Sequence, residues 1–286
     1  MLCFDLLYAW EYIRVCLPHF SIHAGSLWSH STSVFLILVS LWIVTFKDGR
    51  FSYYAALPLG LGFLTRPDTA FTIIAFTIYI ILYQKENFLK FALLGFSIAI
   101  PFFVFSSLEY QTLLPPYYLA NRLSGNHFGE ALWGNLFSPN RGLFVFSPLF
   151  LFSVLGTFYV WWNRKDYDPL YRVICFLPLI HWVTISRFPH WWAGHSYGPR
   201  FFALMLPYLL LLLLPALQGI QNITNKPLKI SLAGLFALCT VWGGFVQLRG
   251  VTQQSVHDWN SYEPNVDLHP EKLWHWDNMQ IFASPP

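Results

Sequence analysis

The chain contains few charged residues. Only 11% of its 286 residues are Asp, Glu, Lys or Arg, and 55% are hydrophobic, whereas a soluble domain carries about a quarter charged residues. This scarcity excludes an ordinary soluble domain and predicts a multi-pass membrane protein. The net charge is only +3 and the basic residues are dispersed, so the sequence indicates no nucleic-acid partner.

The chain has only four cysteines, and it has no motif of a phosphate-binding loop. Cys3, Cys16, Cys175 and Cys239 are far apart and lack metal-site spacing, so we predict no metal centre on cysteine. We expect the cysteines to be buried as small hydrophobic residues, although Cys3 and Cys16 could pair. Neither GxxxxGK[ST] nor GxGxxG occurs, which argues against a nucleotide-fuelled pump.

Long apolar runs make up most of what is present. They predict an all-α, polytopic transmembrane bundle within residues 31–248, after an uncertain N-terminal segment, 1–30, and before a polar tail, 249–286. The predicted spans, about eight in all, are residues 31–46, 51–65, 69–83, 90–108, 143–162, 169–186, 200–217 and 228–248. The spans 51–65 and 69–83 have only about fifteen residues each, below the roughly twenty that cross a bilayer comfortably.

The distribution of basic residues orients the bundle. They cluster in alternate connections, as Lys47 with Arg50, Lys85 with Lys90, Arg164 with Lys165, and Lys226 with Lys229. These connections are cytoplasmic by the positive-inside rule. Arg66, residues 109–142, residues 187–199 and the tail then share the other side. We therefore predict an inner (plasma) membrane protein whose tail is periplasmic or extracellular.

Residues 187–200, RFPHWWAGHSYGPR, concentrate side chains that can do chemistry. Four residues interrupt any continuous helix there: Pro189, Gly194, Gly198 and Pro199. Pro199 favours a helix start at Arg200, whose planar guanidinium suits a phosphate or carboxylate. Arg200 with His195 and Tyr197 predicts a binding site, because polar side chains at this depth are costly. The tryptophans alone also fit an aromatic membrane-interface belt.

Two further arginines lie on the same predicted side. Arg66 interrupts two apolar runs, and it could pair with Asp68, extend to the interface or face an anionic headgroup. Pro67 disfavours helical geometry at Arg66. Arg141 follows a Ser-Pro-Asn turn at the entrance of a span, where it is either an interfacial anchor or part of an anion site.

Candidates for acid–base or metal chemistry are few. His127 and Glu130 are the one imidazole and acid close together in residues 109–142, and catalysis would need one of them beside an acceptor hydroxyl. The His- and Asp-rich tail fits no compact zinc signature. It could still hold a divalent cation, and an aromatic domain folded onto the membrane face is the simpler interpretation.

Several blocks resemble a known family. GSLWSHSTSVF, GLGFLTRPDTA, SPNRGLFVFSPLFL, HWWAGHSYGPRFFALMLPYLLLLL and HPEKLWHWDNMQIF occur in this order. They are similar to bacterial membrane glycosyltransferases of the GT-C superfamily. The nearest groups are the dolichyl-phosphate-mannose mannosyltransferase-like and aminoarabinose transferase-like proteins, and the resemblance covers about residues 24–283.

The resemblance implies a hexosyltransferase-type enzyme with no bound cofactor. It would take a sugar from a polyprenyl-phosphate donor, a membrane lipid carrier, and pass it to a lipid, glycan or protein. The resemblance places Arg66, Arg141 and Arg200 near the carrier phosphate. Four residues would line the sugar or acceptor: His127, Trp192, His195 and Tyr197.

The chain departs from the family at its beginning. Family members carry an acidic catalytic motif in a long outer loop upstream of the block matching GSLWSHS, so we expect an N-terminally shortened homologue. The catalytic acid stays unknown, with Asp5, Glu11 and Glu130 as candidates. A shortened homologue could be inactive, could need a partner chain or could have a misplaced start. Two other functions stay open: a non-catalytic protein that binds or flips carrier lipid, and a solute transporter, which the apolar spans disfavour.

Overall fold

The computed structural model describes residues 29–285, and every regular element within that range is helical. The α-helices are α1 (Ser29–Thr45), α2 (Ala56–Thr65), α3 (Ala70–Tyr83), α4 (Lys85–Tyr110), α5 (Phe128–Phe137), α6 (Leu143–Phe146), α7 (Leu151–Trp162), α8 (Pro169–Ile185), α9 (Leu206–Gln221), α10 (Lys226–Thr252) and α11 (Ser255–Asp258). Short 3-10 helices cover Phe46–Gly49, Ser52–Ala55, Pro67–Thr69, Pro116–Tyr118, Ala120–Leu123, Pro148–Phe150, Arg200–Met205, Pro270–Trp274 and Gln280–Phe282. The all-α prediction is confirmed for residues 29–285.

Three helical segments of the described chain are long and apolar enough to cross a membrane. They are α4, α10 and the continuous stretch Arg200–Gln221, which ends in α9. Shorter apolar helices surround them, and α4 exposes large side chains such as Leu93 and Ile100 along most of its length. Apolar surface of this kind fits a lipid environment. The full set of eight spans stays a prediction.

The tightest helix pair is α7 against α9, and small residues of α7 allow it. A Cβ atom at Gly156 would lie 1.8 Å from the carbonyl oxygen of Leu212, so the two backbones touch where glycine removes the side chain. Ser153 donates a 2.6 Å hydrogen bond to the carbonyl of Leu209. Small residues and hydroxyl groups are the usual means of close helix packing in membranes.

Two predicted boundaries were wrong. Lys85 was predicted to lie in the connection before a span at 90–108, but α4 begins at Lys85. Asn87 explains this, because its amide donates at 3.0 Å to both the Gly49 carbonyl and the Ser52 hydroxyl inside the protein. The predicted span 143–162 is broken after α6, since Pro148 starts a separate 3-10 helix before α7.

Three segments pack on one another where the predicted outer connections meet, and we call them the cap: residues 111–142, 187–199 and 253–285. The amide of Gly125 donates to the Arg187 carbonyl at 2.8 Å, and the Asn140 side chain donates to the Lys272 carbonyl at 3.0 Å. The tail is therefore a packed part of the protein.

Candidate functional site

Arg141 is the centre of the cap. Only 1% of its surface is exposed. Its guanidinium donates five hydrogen bonds of 2.6–3.2 Å, to the carbonyl oxygens of Asn140, Trp192 and Gly194 and to the side-chain oxygens of Asn260 and Gln280. Burial, together with the positive charge of Arg200, lowers the pKa of Arg141 to about 9, so it stays protonated at neutral pH. All five donor positions are used within the protein.

The backbone carbonyl groups of residues 192, 193 and 194 accept hydrogen bonds from two arginines. Those of Trp192 and Gly194 accept from Arg141, and that of Ala193 accepts from Nη2 of Arg200 at 2.6 Å. The backbone makes this turn through two left-handed residues, Ala193 with φ 65° and Gly194 with φ 62°. A non-glycine residue in that region costs about 1–3 kcal/mol. The two arginines therefore hold a strained turn, which we call the 192–194 turn.

Arg66 ends α2 in an extended conformation, with φ −152° and ψ 128°, which confirms the expected effect of Pro67. Its Nε lies 3.0 Å from Oδ1 of Asp68 and its Nη2 lies 3.0 Å from Oδ2. Its Nη1 lies 3.0 Å from Nε2 of His30. Arg66 is thus engaged in a bidentate pair with Asp68, which offsets most of its charge.

Arg200 begins its 3-10 helix directly after Pro199 and is partly buried. Its guanidinium donates to the Ala193 carbonyl, which lies between the two carbonyls that accept from Arg141. The positive charge of Arg66 also acts on it. The structure thus brings the three predicted arginines into one neighbourhood. Their phosphate-binding role stays a prediction, and the saturated donors of Arg141 favour a positioning role for that residue.

An apolar groove of about 440 Å³ is formed by α2, α3 and α4, a size typical of ligand sites, which span about 300–1,000 Å³. Along α2 the groove runs from Ala56 to Leu64, a rise of about 12 Å at the helical repeat. Leu64 lies just before Arg66 in the sequence, and Phe103 lines the groove near the cap end of α4. The α2 wall of the groove therefore stops two residues before Arg66 in the sequence.

His195 lies on the exposed side of residues 187–199, the segment that contains the 192–194 turn. Its Nε2 is 3.2 Å from Oδ2 of Asp267, and the two side chains are 41% and 43% exposed. Its Nδ1 is 3.3 Å from the Ser261 hydroxyl. The indole of Trp192 donates to the other oxygen of Asp267 at 2.8 Å. An imidazole and a carboxylate are thus fixed together at the surface of the cap.

Tyr197 and Trp192, two predicted sugar ligands, are buried in the cap. The Tyr197 hydroxyl donates to the Val246 carbonyl of α10 at 2.9 Å, and its ring packs edge-on against Phe146. Burial raises the pKa of Tyr197, so it remains a donor. Neither ring is open to a ligand in this arrangement, and their sugar-binding role stays a prediction.

His127 and Glu130 lie next to each other at the start of α5, with Nδ1 and Oε2 3.7 Å apart. Glu130 accepts a 3.0 Å hydrogen bond from the indole of Trp274, so the tail holds the predicted acid. The other two candidate acids, Asp5 and Glu11, lie outside the described residues.

A buried lysine organises the tail. The Nζ of Lys272 donates to the carbonyl oxygens of Trp259, Tyr262 and Pro264 at 2.7–2.9 Å, and its side chain is fully covered. Burial lowers its pKa. Between residues 29 and 285, no three His, Cys, Asp or Glu side chains are grouped to hold a metal ion. The cation prediction for the tail gains no support from this arrangement.

No sequence pattern distinguishes Asp267, Asn260 or Gln280 from other polar residues. Asp267 was one of several tail acids without a motif, and the two amides are ordinary polar residues of the tail. Their importance comes from contacts with Arg141 and His195 that join distant parts of the chain.

Comparisons of the chain with protein-family models, with curated proteins and with solved structures find no match. Its function therefore has to be inferred from the cap and the groove themselves.

Proposed function

We propose that this protein is a glycosyltransferase that moves a sugar from a polyprenyl-phosphate donor to a lipid, glycan or protein acceptor on the periplasmic face. The observation that carries the proposal is an apolar groove whose α2 wall stops at Leu64, two residues before Arg66. The charge of Arg66 in turn acts on Arg200. A polyprenyl phosphate needs both parts, an apolar channel for its chain and cations for its headgroup.

The arginines have different roles in this proposal. Arg200 stabilises the negative charge that develops on the carrier phosphate as the sugar leaves, which is a task for a fixed cation. Arg66 contributes less, because Asp68 already pairs with it. Arg141 holds the 192–194 turn in place.

The second candidate is a non-catalytic protein that binds or flips the carrier lipid in envelope glycan assembly. One observation favours it. Of the three predicted catalytic acids, Glu130 lies within the described residues, and it is hydrogen-bonded to Trp274 of the tail. Lipid binding would need the groove and Arg200 but no acid.

The test is sugar transfer in proteoliposomes from a panel of radiolabelled polyprenyl-phosphate hexoses. The variant is Arg200→Gln, and the control is Arg187→Gln, which removes an exposed arginine stacked 4.0 Å from the Phe128 ring. We expect Arg200→Gln to lose about 10²–10³-fold in transfer rate and the control to behave as the wild type.

The outcomes separate the two candidates. Lipid binding that depends on Arg200, without any transfer, would establish the binding protein instead. If Arg200→Gln changes neither sugar transfer nor lipid binding, both candidates are contradicted.

A further inference from the structure

Transfer of a sugar to a hydroxyl group needs a base that takes the hydroxyl proton. Two carboxylates near the predicted site are already committed. Asp68 is bidentate to Arg66, and Glu130 accepts from Trp274. Asp5 and Glu11 lie outside the described residues, and a further described side chain that could accept the proton is the exposed imidazole of His195.

The surroundings of His195 define which of its nitrogens is free to accept a proton. Asp267 lies 3.2 Å from Nε2, and a carboxylate there accepts a hydrogen bond from Nε2–H. In the neutral ring Nδ1 then carries the lone pair. The Ser261 hydroxyl, 3.3 Å from Nδ1, is placed to donate to that lone pair. A hydroxyl thus already occupies the position that an acceptor hydroxyl would take.

Asp267 is held in position by a buried neighbour. The indole of Trp192 donates to its Oδ1 at 2.8 Å while its Oδ2 faces His195. Trp192 is 7% exposed, whereas His195 and Asp267 are each more than 40% exposed. A rigid, buried support beneath an accessible pair is the arrangement that a functional site requires.

The same short segment connects this pair to the phosphate site. The carbonyl of Ala193 accepts from Arg200, and His195 follows two residues later. The segment therefore contacts the partly buried cation through its backbone and presents the imidazole on its exposed side. Transfer would require a donor headgroup at Arg200 and an acceptor at His195 to come together past the edge of this segment.

We infer that His195 is the catalytic base that deprotonates the acceptor hydroxyl and that Asp267 positions its ring; this inference rests on the proposed transferase function. The hydroxyl oxygen forms the bond to the anomeric carbon as its proton passes to Nδ1 of His195. The bond between that carbon and the phosphate oxygen breaks, and its electron pair leaves on polyprenyl phosphate. The imidazolium then loses its proton to solvent.

The test compares His195→Ala and Asp267→Asn with the wild type in the proteoliposome transfer assay, using the radiolabelled hexose donors and methyl glycosides as acceptors. The matched control is His269→Ala, because His269 forms a second exposed pair, with Nδ1 2.9 Å from Glu271. Binding of the donor and thermal stability are measured for each variant, and added imidazole tests whether a free base replaces the missing ring.

We expect His195→Ala to lose about 10²–10⁴-fold in kcat with donor binding retained, and imidazole to restore part of the rate. Asp267→Asn should lower kcat and leave the donor KM nearly unchanged, because the ring remains but its tautomer is no longer fixed. His269→Ala should match the wild type.

Three results would overturn the inference. If the wild type and His195→Ala transfer sugar equally fast, His195 is not the catalytic base, and the proposed transferase function is unaffected. Loss of activity with loss of donor binding, and no response to imidazole, would assign His195 a structural role only. A wild type that binds polyprenyl phosphate but transfers nothing would end the transferase proposal and this inference together.

Discussion

Arg141 and Trp192 are joined by a 2.8 Å hydrogen bond from the arginine Nε to the tryptophan carbonyl, across 51 positions of sequence. Arg141 lies just before α6, and Trp192 lies in the segment that carries His195. The bond fixes that segment to the membrane-side helices. The same guanidinium reaches the tail through Asn260 and Gln280, so one side chain aligns all three parts of the cap.

Replacing Arg141 by lysine tests this role. Lysine keeps the charge but has three donors in place of five, so at least two buried acceptors lose a partner. We expect Arg141→Lys to lower the free energy of unfolding by about 3 kcal/mol or more, measured by thermal unfolding in detergent. Arg122→Lys is the control, because Arg122 is exposed and stacks on Tyr117. Equal unfolding temperatures for the two variants would contradict the role of Arg141.

Gly156 should not tolerate a methyl group. A Cβ there would lie 1.8 Å from the Leu212 carbonyl, and overpacking of this kind costs about 1–3 kcal/mol. Gly156→Ala should therefore unfold at a lower temperature than the wild type. Gly234→Ala on α10 meets no atom within 4 Å and should be neutral or slightly stabilising. The close α7–α9 contact is disproved if both variants unfold alike.

The groove can be filled without disturbing its walls. Gly95 lines it, and a Cβ at that position meets nothing within 4 Å. We expect Gly95→Leu to weaken binding of a polyprenyl phosphate while the unfolding temperature is kept, because the new side chain occupies the space of the lipid chain. Gly234→Leu is again the control, since Gly234 is equally open and lies outside the groove. Unchanged binding by Gly95→Leu would place the lipid chain elsewhere.

Tyr118 links the cap to the end of α2, and its contribution should depend on pH. Its hydroxyl donates to the carbonyls of Phe63 and Leu64 at 2.8 and 3.0 Å. Burial, with the neighbouring Tyr117 and the negative charge of Asp68, raises its pKa to about 12, from about 10 in an unfolded chain.

Because this pKa is raised on folding, the stability that Tyr118 supplies is complete below about pH 10 and is lost as the pH rises to about 12. The wild type should be more stable than Tyr118→Phe at neutral pH, and the difference in unfolding temperature should shrink across that window. A difference that is constant with pH would mean that the hydroxyl does not titrate there.

The sequence was informative where the physics is local. Apolar runs marked the main helices to within a few residues, Pro67 made Arg66 extended, and the prolines and glycines of residues 187–199 kept that segment out of a helix. The errors came from tertiary contacts. Asn87 turned a polar stretch into part of α4 by bonding inside the protein, which no local pattern records.

The site was less predictable than the fold for the same reason. The sequence identified Arg66, Arg141 and Arg200 as a group, but it could not show how many of their donors the protein itself uses. Gln280 lies 139 positions from Arg141, and an amide in a polar tail follows no periodicity. Asp267 is of interest because it contacts His195, and that contact forms only in the folded cap.

The most direct test of the central claim is a comparison of two ligands, polyprenyl phosphate and the uncharged polyprenol of the same length, binding to the protein in lipid nanodiscs. The wild type should bind the phosphate about 10- to 100-fold more tightly, as one or two charge-assisted hydrogen bonds provide. Arg200→Gln should lose most of that preference and keep the affinity for polyprenol. Equal affinities for the two ligands in the wild type, or a preference that survives Arg200→Gln, would contradict the assignment of Arg200 and the groove to a lipid phosphate.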